Sequence, residues 1–247
     1  MKKFSIILLA FFICTSCEYI DFLKKEGSMV EYDYNVGKIK YLIADASYRI
    51  ILTNSSPETI HISGYDYLTD GIILEENGDT LRIDNDHYFI QKSKLPEITI
   101  DGSNLINITL NAVCQINCIE NIETNQLKLT MNGGSQYTES NLDLTCQNLS
   151  LAVYGLNNVG NHIIKGTVEN VSYILEGSVN LDALDLFSQT TNITHKSIGY
   201  CKVNVINELN VNTYSTGNTY YIGNPAIQHQ HIELPYFNST GEVIKID

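Results

Sequence analysis

"LKLTMNGGSQY", residues 127–137, comes back along the chain in altered form. It returns as "LSLAVYGLNNV" at 149–159, as "VSYILEGSVNL" at 171–181 and as "ITHKSIGYCKV" at 193–203, and an earlier copy, "INITLNAVCQI", stands at 106–116. Ala112, Gly133, Gly155, Gly177 and Gly199 mark the same point of each copy, and their separations are almost equal. Six residues before each marker stand Ile106, Leu127, Leu149, Val171 and Ile193. Two before stand Leu110, Met131, Val153, Leu175 and Ser197. Four after stand Ile116, Tyr137, Val159, Leu181 and Val203. All these offsets are even, so along an extended strand they fall on one face. A second apolar set follows in Leu142, Leu144, Ile164, Leu184 and Leu186.

Period-2 alternation rich in Val, Ile, Tyr and Thr means β-strand, and it continues outside the repeat in "YRIILT", "ETIHIS", "GIILEE", "TLRID" and "EITID". A repeat in the low twenties, made of strands and turns without a helical half, predicts an all-β, single-stranded parallel β-helix, or β-solenoid, with coils of about 22 residues. Column residues point inward, and each coil stacks about 4.8 Å from the next. Gly or Ala at the marker lets the wall bend where a side chain would collide. Six such coils stand on the order of 30 Å tall.

The cysteines follow from this geometry. Cys114 and Cys201 share one column four coils apart, on the order of 19 Å. Cys114 and Cys118 lie about 13 Å apart along one strand. A disulfide needs Cα atoms within roughly 7 Å, so neither pair closes, and the domain is expected to hold reduced, buried thiols. As a strand, Cys-x-x-x-Cys also splays its thiolates away from a common metal.

The N-terminus reads as a targeting signal at 1–16. Lys2 and Lys3 precede an apolar run, Phe4 to Ile13, that is too short to span a bilayer. "CTSC" then resembles a bacterial lipobox, with Cys14 where Leu is usual. That resemblance implies cleavage before Cys17 and lipid, palmitate included, on Cys17, which would tether the protein to the outer membrane on its periplasmic or surface face. Residues 17–30 are expected as a tether and 31–247 as the domain. Fifteen basic residues stand against 28 acidic ones, a formal net charge of −13. Such a surface repels phosphate backbones, which argues against nucleic-acid partners.

Near the C-terminus, "YSTGNTYYIGNP" (214–225) places a tyrosine strand, Thr219 to Ile222, between two turns, with Tyr220 and Tyr221 on opposite faces. "FNSTGEVIKI" (237–246) supplies a last turn and a short strand. With "YRIILT", "TIHISG", "NGDTLRID" and "LPEITIDGSNLINITLNAV", these segments resemble the autotransporter adhesin head domain, or GIN domain, over about Lys38 to Asp247. The resemblance implies a right-handed parallel β-helix on secreted or lipid-anchored proteins of Bacteroidetes-type bacteria. It implies an adhesin-like binding module and no cofactor.

No catalytic set stands out. Asp182 and Asp185 have opposite parity, Asp143 lies outward between two leucines, and only Lys165, Lys196 and Lys202 stand in the middle coils as bases. A glycosidase or lyase needs two convergent acids, so the chain reads as a non-enzyme. No metal centre is expected either. His229 and His231 are weak candidates on one strand face, with Glu233 of the same parity but no third ligand beside them. His162 and His195 differ in phase. The candidate ligand-surface residues are Tyr154, Tyr200, Tyr220 and Tyr221, whose faces could stack on sugars. Tyr137 and Tyr173 have inward parity and are expected in the core, and Asn is expected to form stacked ladders at turns. The function reading is an exported, lipid-anchored adhesin-like protein whose partner is a glycan or a cell-surface protein. The rivals are a polysaccharide-binding or polysaccharide-degrading β-helix and a purely structural envelope lipoprotein.

Overall fold

The computed structural model describes residues 27–54, 58–86, 94–233, 235 and 239–247. The lipobox, Cys17, the turn at 55–57 and part of the last turn lie outside the described residues. Among the described residues, seventeen strands form one continuous curled sheet, and one short helix, α1 (Asp66–Thr69), interrupts them. The chain is a β-solenoid of about six stacked coils.

The central coils show why the repeat reads as it does. Strand β11 (Gln126–Met131) pairs in parallel with β12 (Glu139–Val153), Leu127 against Leu149 and Met131 against Val153. β12 pairs in parallel with the first half of β13 (Val159–Ser197), Leu149 against Val171 and Val153 against Leu175. The second half of β13 pairs with β14 (Cys201–Thr213), Ile193 against Val211. Like residues therefore stack on like, and Leu127, Leu149, Val171 and Ile193 are all buried. Parallel ladders buried on the inner face draw their stability from this continuous apolar column rather than from any single pair.

The third expected column is corrected after the marker turn. Tyr137 is 58% exposed with φ of 62°, and Val159 is exposed as well. The chain turns through residues 133–138, and a turn does not preserve strand parity. Ile116 stacks instead on Ser140, and Ser140 on His162. All three are buried. Leu184 of the second set is only half-buried, because register shifts interrupt the ladder between Ala183 and Phe187. Beyond those shifts the coils shorten. Ile193 faces Val211 and Cys201 faces Thr219, each a smaller step along the chain than the one from Leu149 to Val171.

The N-terminal end departs from chain order. β2 (Tyr41–Ala44) and β3 (Arg49–Thr53) form one coil lying between two later ones. On one side they pair in parallel with β6 (Thr80–Asn85) and β7 (Glu97–Asp101), on the other with β8 (Asn107–Leu110) and β9 (Gln115–Cys118). Antiparallel strands then close this end. β5 (Ile72–Asn77) covers β6, β4 (Thr59–Tyr65) covers β7, and β1 (Met29–Asn35) covers β4. β1 opens at Met29, inside the segment expected as a tether. Covering the edge in this way removes a row of open backbone groups that would otherwise pair with another chain. The short strand β10 (Ile122–Glu123) lies on β12. At the far end β15 (Thr219–Ile222) and β16 (Ala226–His231) form the last long coil on β14, and β17 (Val243–Lys245) lies on β15.

Candidate functional site

Two surface features arise from the stacking. The first is a groove of about 440 Å³ on one side wall, running across the coils. Its lining includes Leu127, Leu149 and Val171, whose side chains stand in the inner column, and the more exposed Tyr41 and Ile106. Its rim carries Gln126, Asn148, Asn170 and Asn192, one from each of four successive coils and all exposed. The amides are ordered by the register that stacks the leucines. The Asn170 amide donates to Asn148 Oδ1 at 3.4 Å, and that of Asn210 donates to Asn192 Oδ1 at 3.0 Å. A second ladder marks another corner. There Arg82 Nε pairs with Asp45 at 2.6 Å, Asn111 donates to Asp45 at 2.7 Å, and Asn132 donates to Asn111 at 2.6 Å. The expected asparagine ladders are thus present.

The second feature lies at the C-terminal end. His229 and His231 stand two apart on β16, and their rings lean together, with centroids 4.5 Å apart. Glu242, just ahead of β17, joins them, so that one donor atom from each of the three lies within 4.8 Å of the others. Glu233, which sequence parity had offered, is not in this group. Sequence spacing could not find Glu242, because it stands just ahead of β17, which pairs with β15 rather than with β16. Burial holds the His229 imidazolium below its ordinary range, and the neighbouring His231 pushes the same way, against Glu242.

The tyrosines divide. Tyr154 and Tyr200 are exposed, as expected from their parity. Lys202 Nζ sits 4.8 Å over the Tyr200 ring, so one face of that ring is already occupied. Tyr220 is half-buried, and its hydroxyl accepts from the Asn218 amide at 3.3 Å. Tyr221 is corrected: it packs against the core, opposite Val203. Tyr173 is buried as expected.

Three carboxylates of the middle coils are engaged with lysines of the next coil. Lys165 meets Asp143 at 3.2 Å, Lys196 meets Glu176 at 3.1 Å and Lys202 meets Asp182 at 3.3 Å. This explains where the three lysines go. Surface pairs of this kind contribute little stability but neutralise each of these acids with a lysine of the neighbouring coil. Cys114, Cys118, Cys146 and Cys201 are free thiols.

The curled sheet, its repeat and its closing strands match a known pattern. Residues 40–225 fit the family described as "Putative auto-transporter adhesin, head GIN domain". The chain belongs to the GIN domain family. Solved structures share the fold of this GIN domain. A putative adhesin from Bacteroides fragilis superposes with a TM-score of 0.72 at 20% identity, covering 89% of this chain and 97% of the other. A putative adhesin from Parabacteroides distasonis gives 0.63 at 17%, covering 90% and 98%. A protein of the same organism called a putative lipid binding protein gives 0.60 at 16%, with the same coverage. At these identities the likeness extends to the GIN fold alone. No curated protein matches the chain.

Proposed function

We propose that the protein is an adhesin-like binding module of the cell envelope, held by lipid on Cys17, and that it engages a neutral glycan chain along the amide-rimmed groove. The observation that supports this reading most directly is the row Gln126, Asn148, Asn170 and Asn192 along an open groove that the exposed Tyr41 also lines. Amides both donate and accept, so they satisfy hydroxyl groups without charge, and the exposed Tyr41 ring lining the same groove can stack on the apolar face of a sugar ring. Their spacing repeats along the axis, which suits a polymer rather than a compact small molecule. The groove is open and polar at its rim, which suits a glycan better than an acyl chain.

The test is a glycan array and a whole-cell binding assay with the purified protein, read beside release of reducing sugar. Replacing Asn148 and Asn170 by Ala should weaken binding by about tenfold or more, the equivalent of about one or two lost hydrogen bonds. Binding unchanged in that double variant, or absent throughout, would overturn the groove assignment. Loss in Tyr154→Ala or Tyr200→Ala instead would move the contact to the exposed tyrosines. Release of reducing sugar would favour the degrading enzyme. Fatty-acid labelling that disappears in Cys17→Ser, with loss of the membrane-bound fraction, tests the anchor.

A further inference from the structure

We infer that His229, His231 and Glu242 form a binding site for one divalent transition-metal ion of the zinc type, on the C-terminal end of the solenoid. Three lines carry the assignment. The donor set is two imidazoles and one carboxylate, the combination that suits zinc and its neighbours with three protein ligands and an open fourth position. The three donors already lie within 4.8 Å of each other, so a modest side-chain adjustment brings them around one ion. Residues two apart on a strand have Cβ atoms about 6.8 Å apart, yet these rings close to 4.5 Å, inclined at 53°.

The surroundings of the rings supply the third line. His231 Nδ1 lies 3.0 Å from the backbone carbonyl oxygen of Ser239. A carbonyl only accepts, so Nδ1 carries the proton, and Nε2 is left with the lone pair a metal needs. His229 Nε2 lies 3.0 Å from Oγ1 of the buried Thr213, and in the tautomer whose Nε2–H donates to that oxygen Nδ1 is left as the other metal donor. The Ser239 hydroxyl in turn donates to the Thr213 carbonyl at 2.6 Å. Thr213 and Ser239 thus hold both rings through one connected set of contacts. An outer set of this kind fixes tautomer and orientation at protein metal sites. Glu242 is placed independently, its backbone N–H donating to Asn218 Oδ1 at 2.9 Å and its carbonyl accepting from Thr219 at 2.8 Å.

The ion would join β16 to the segment entering β17, two parts of the last coil that do not pair with each other along the backbone. Its open position would face solvent, available to water or to a donor from a bound partner.

The test uses the full chain without a polyhistidine tag, stripped with a chelator. Titration with Co²⁺ should give the absorption of a four-coordinate site at one ion per chain, and Zn²⁺ should displace it. Zn²⁺ should also raise the melting temperature, because only the folded chain presents the site. Glu242→Gln and His231→Gln should each abolish the Co²⁺ spectrum, and Glu242→Gln should do so while leaving the metal-free melting temperature unchanged. Thr213→Val should weaken binding by about tenfold, as loss of an outer contact does. No Co²⁺ spectrum at millimolar metal, or a spectrum retained in both the Glu242 and His231 variants, would overturn the site.

Discussion

Ser140 Oγ and His162 Nδ1 lie 2.9 Å apart inside the solenoid, one coil above the other in the column that Ile116 begins. A polar pair in an apolar wall is tolerated because each satisfies the other. The imidazole remains neutral there. Burial lowers the pKa of His162 to about 4 and that of His195 also to about 4, although backbone groups of Asn218 and Ser197 partly oppose the latter. Unfolded histidine titrates near 6.5, so between pH 6.5 and 4 the unfolded chain binds more protons than the folded one. Stability therefore falls as the pH drops through this window, by about 2 kcal/mol for each histidine at pH 5. Urea melts at pH 7 and pH 5 read this directly. His162→Gln keeps a partner for Ser140 but cannot charge, and it should reduce the difference between the two pH values. An equal difference in wild type and variant would contradict the assignment.

Leu149 stands between Leu127 and Val171 in the inner column. Leu149→Asp places an unpaired carboxylate there and should cost more than about 4 kcal/mol, while Leu149→Ala should cost about 2–5 kcal/mol. A wild-type melting curve for Leu149→Asp would disprove the column.

Gly177 has φ of +83°, and a Cβ at this position would press on the carbonyl oxygen of Asn158. Gly133, the same marker two coils earlier, has open space where its Cβ would stand. Gly177→Ala should destabilise by about 1–3 kcal/mol, and Gly133→Ala should stay within about 0.5 kcal/mol of wild type. Denaturant midpoints compare the two, and equal effects would mean that the marker glycines are not distinguished by their surroundings.

Burial pushes the Cys114 thiol up to about 12 and those of Cys118 and Cys146 to about 11, and it raises Cys201 as well. The thiolate is the reactive form, so all four should resist a thiol reagent at pH 8 in the folded protein and react once it is unfolded in denaturant. Fast modification of Cys114 or Cys201 without denaturant would show that the interior opens.

The inner columns were legible in the sequence because a parallel stack repeats side-chain chemistry at a fixed interval: Leu127, Leu149 and Val171 announce their neighbours. Legibility ended wherever the interval changed. Tyr137 keeps the spacing of a core residue but sits in a turn, and the backbone there rotates its side chain outward. The glycine column continues from Gly199 to Gly217 and Gly241, each close above the last, but the steps between them are unequal and hide it from a search at one fixed interval. Of the two surface features, the amide row was readable as polar stacking. The meeting of Glu242 with His229 and His231 was not, because β16 and β17 lie on different ladders and no strand parity relates them. The order of the first coils was equally hidden, since β2 and β3 look like any other strands.

That order sets a schedule for the nascent chain. Tyr41 pairs with Thr80 on one edge and with Asn107 on the other, both far along the chain. A polypeptide appearing N-terminus first holds β2 and β3 early but cannot seat them until β6 to β9 have arrived. Loop closures of that length are slow compared with the coil-by-coil additions of the later part, where each new strand finds a template a single coil behind it. The chain up to Cys118 should therefore assemble as a single cooperative unit, and everything after it can be wound on in sequence.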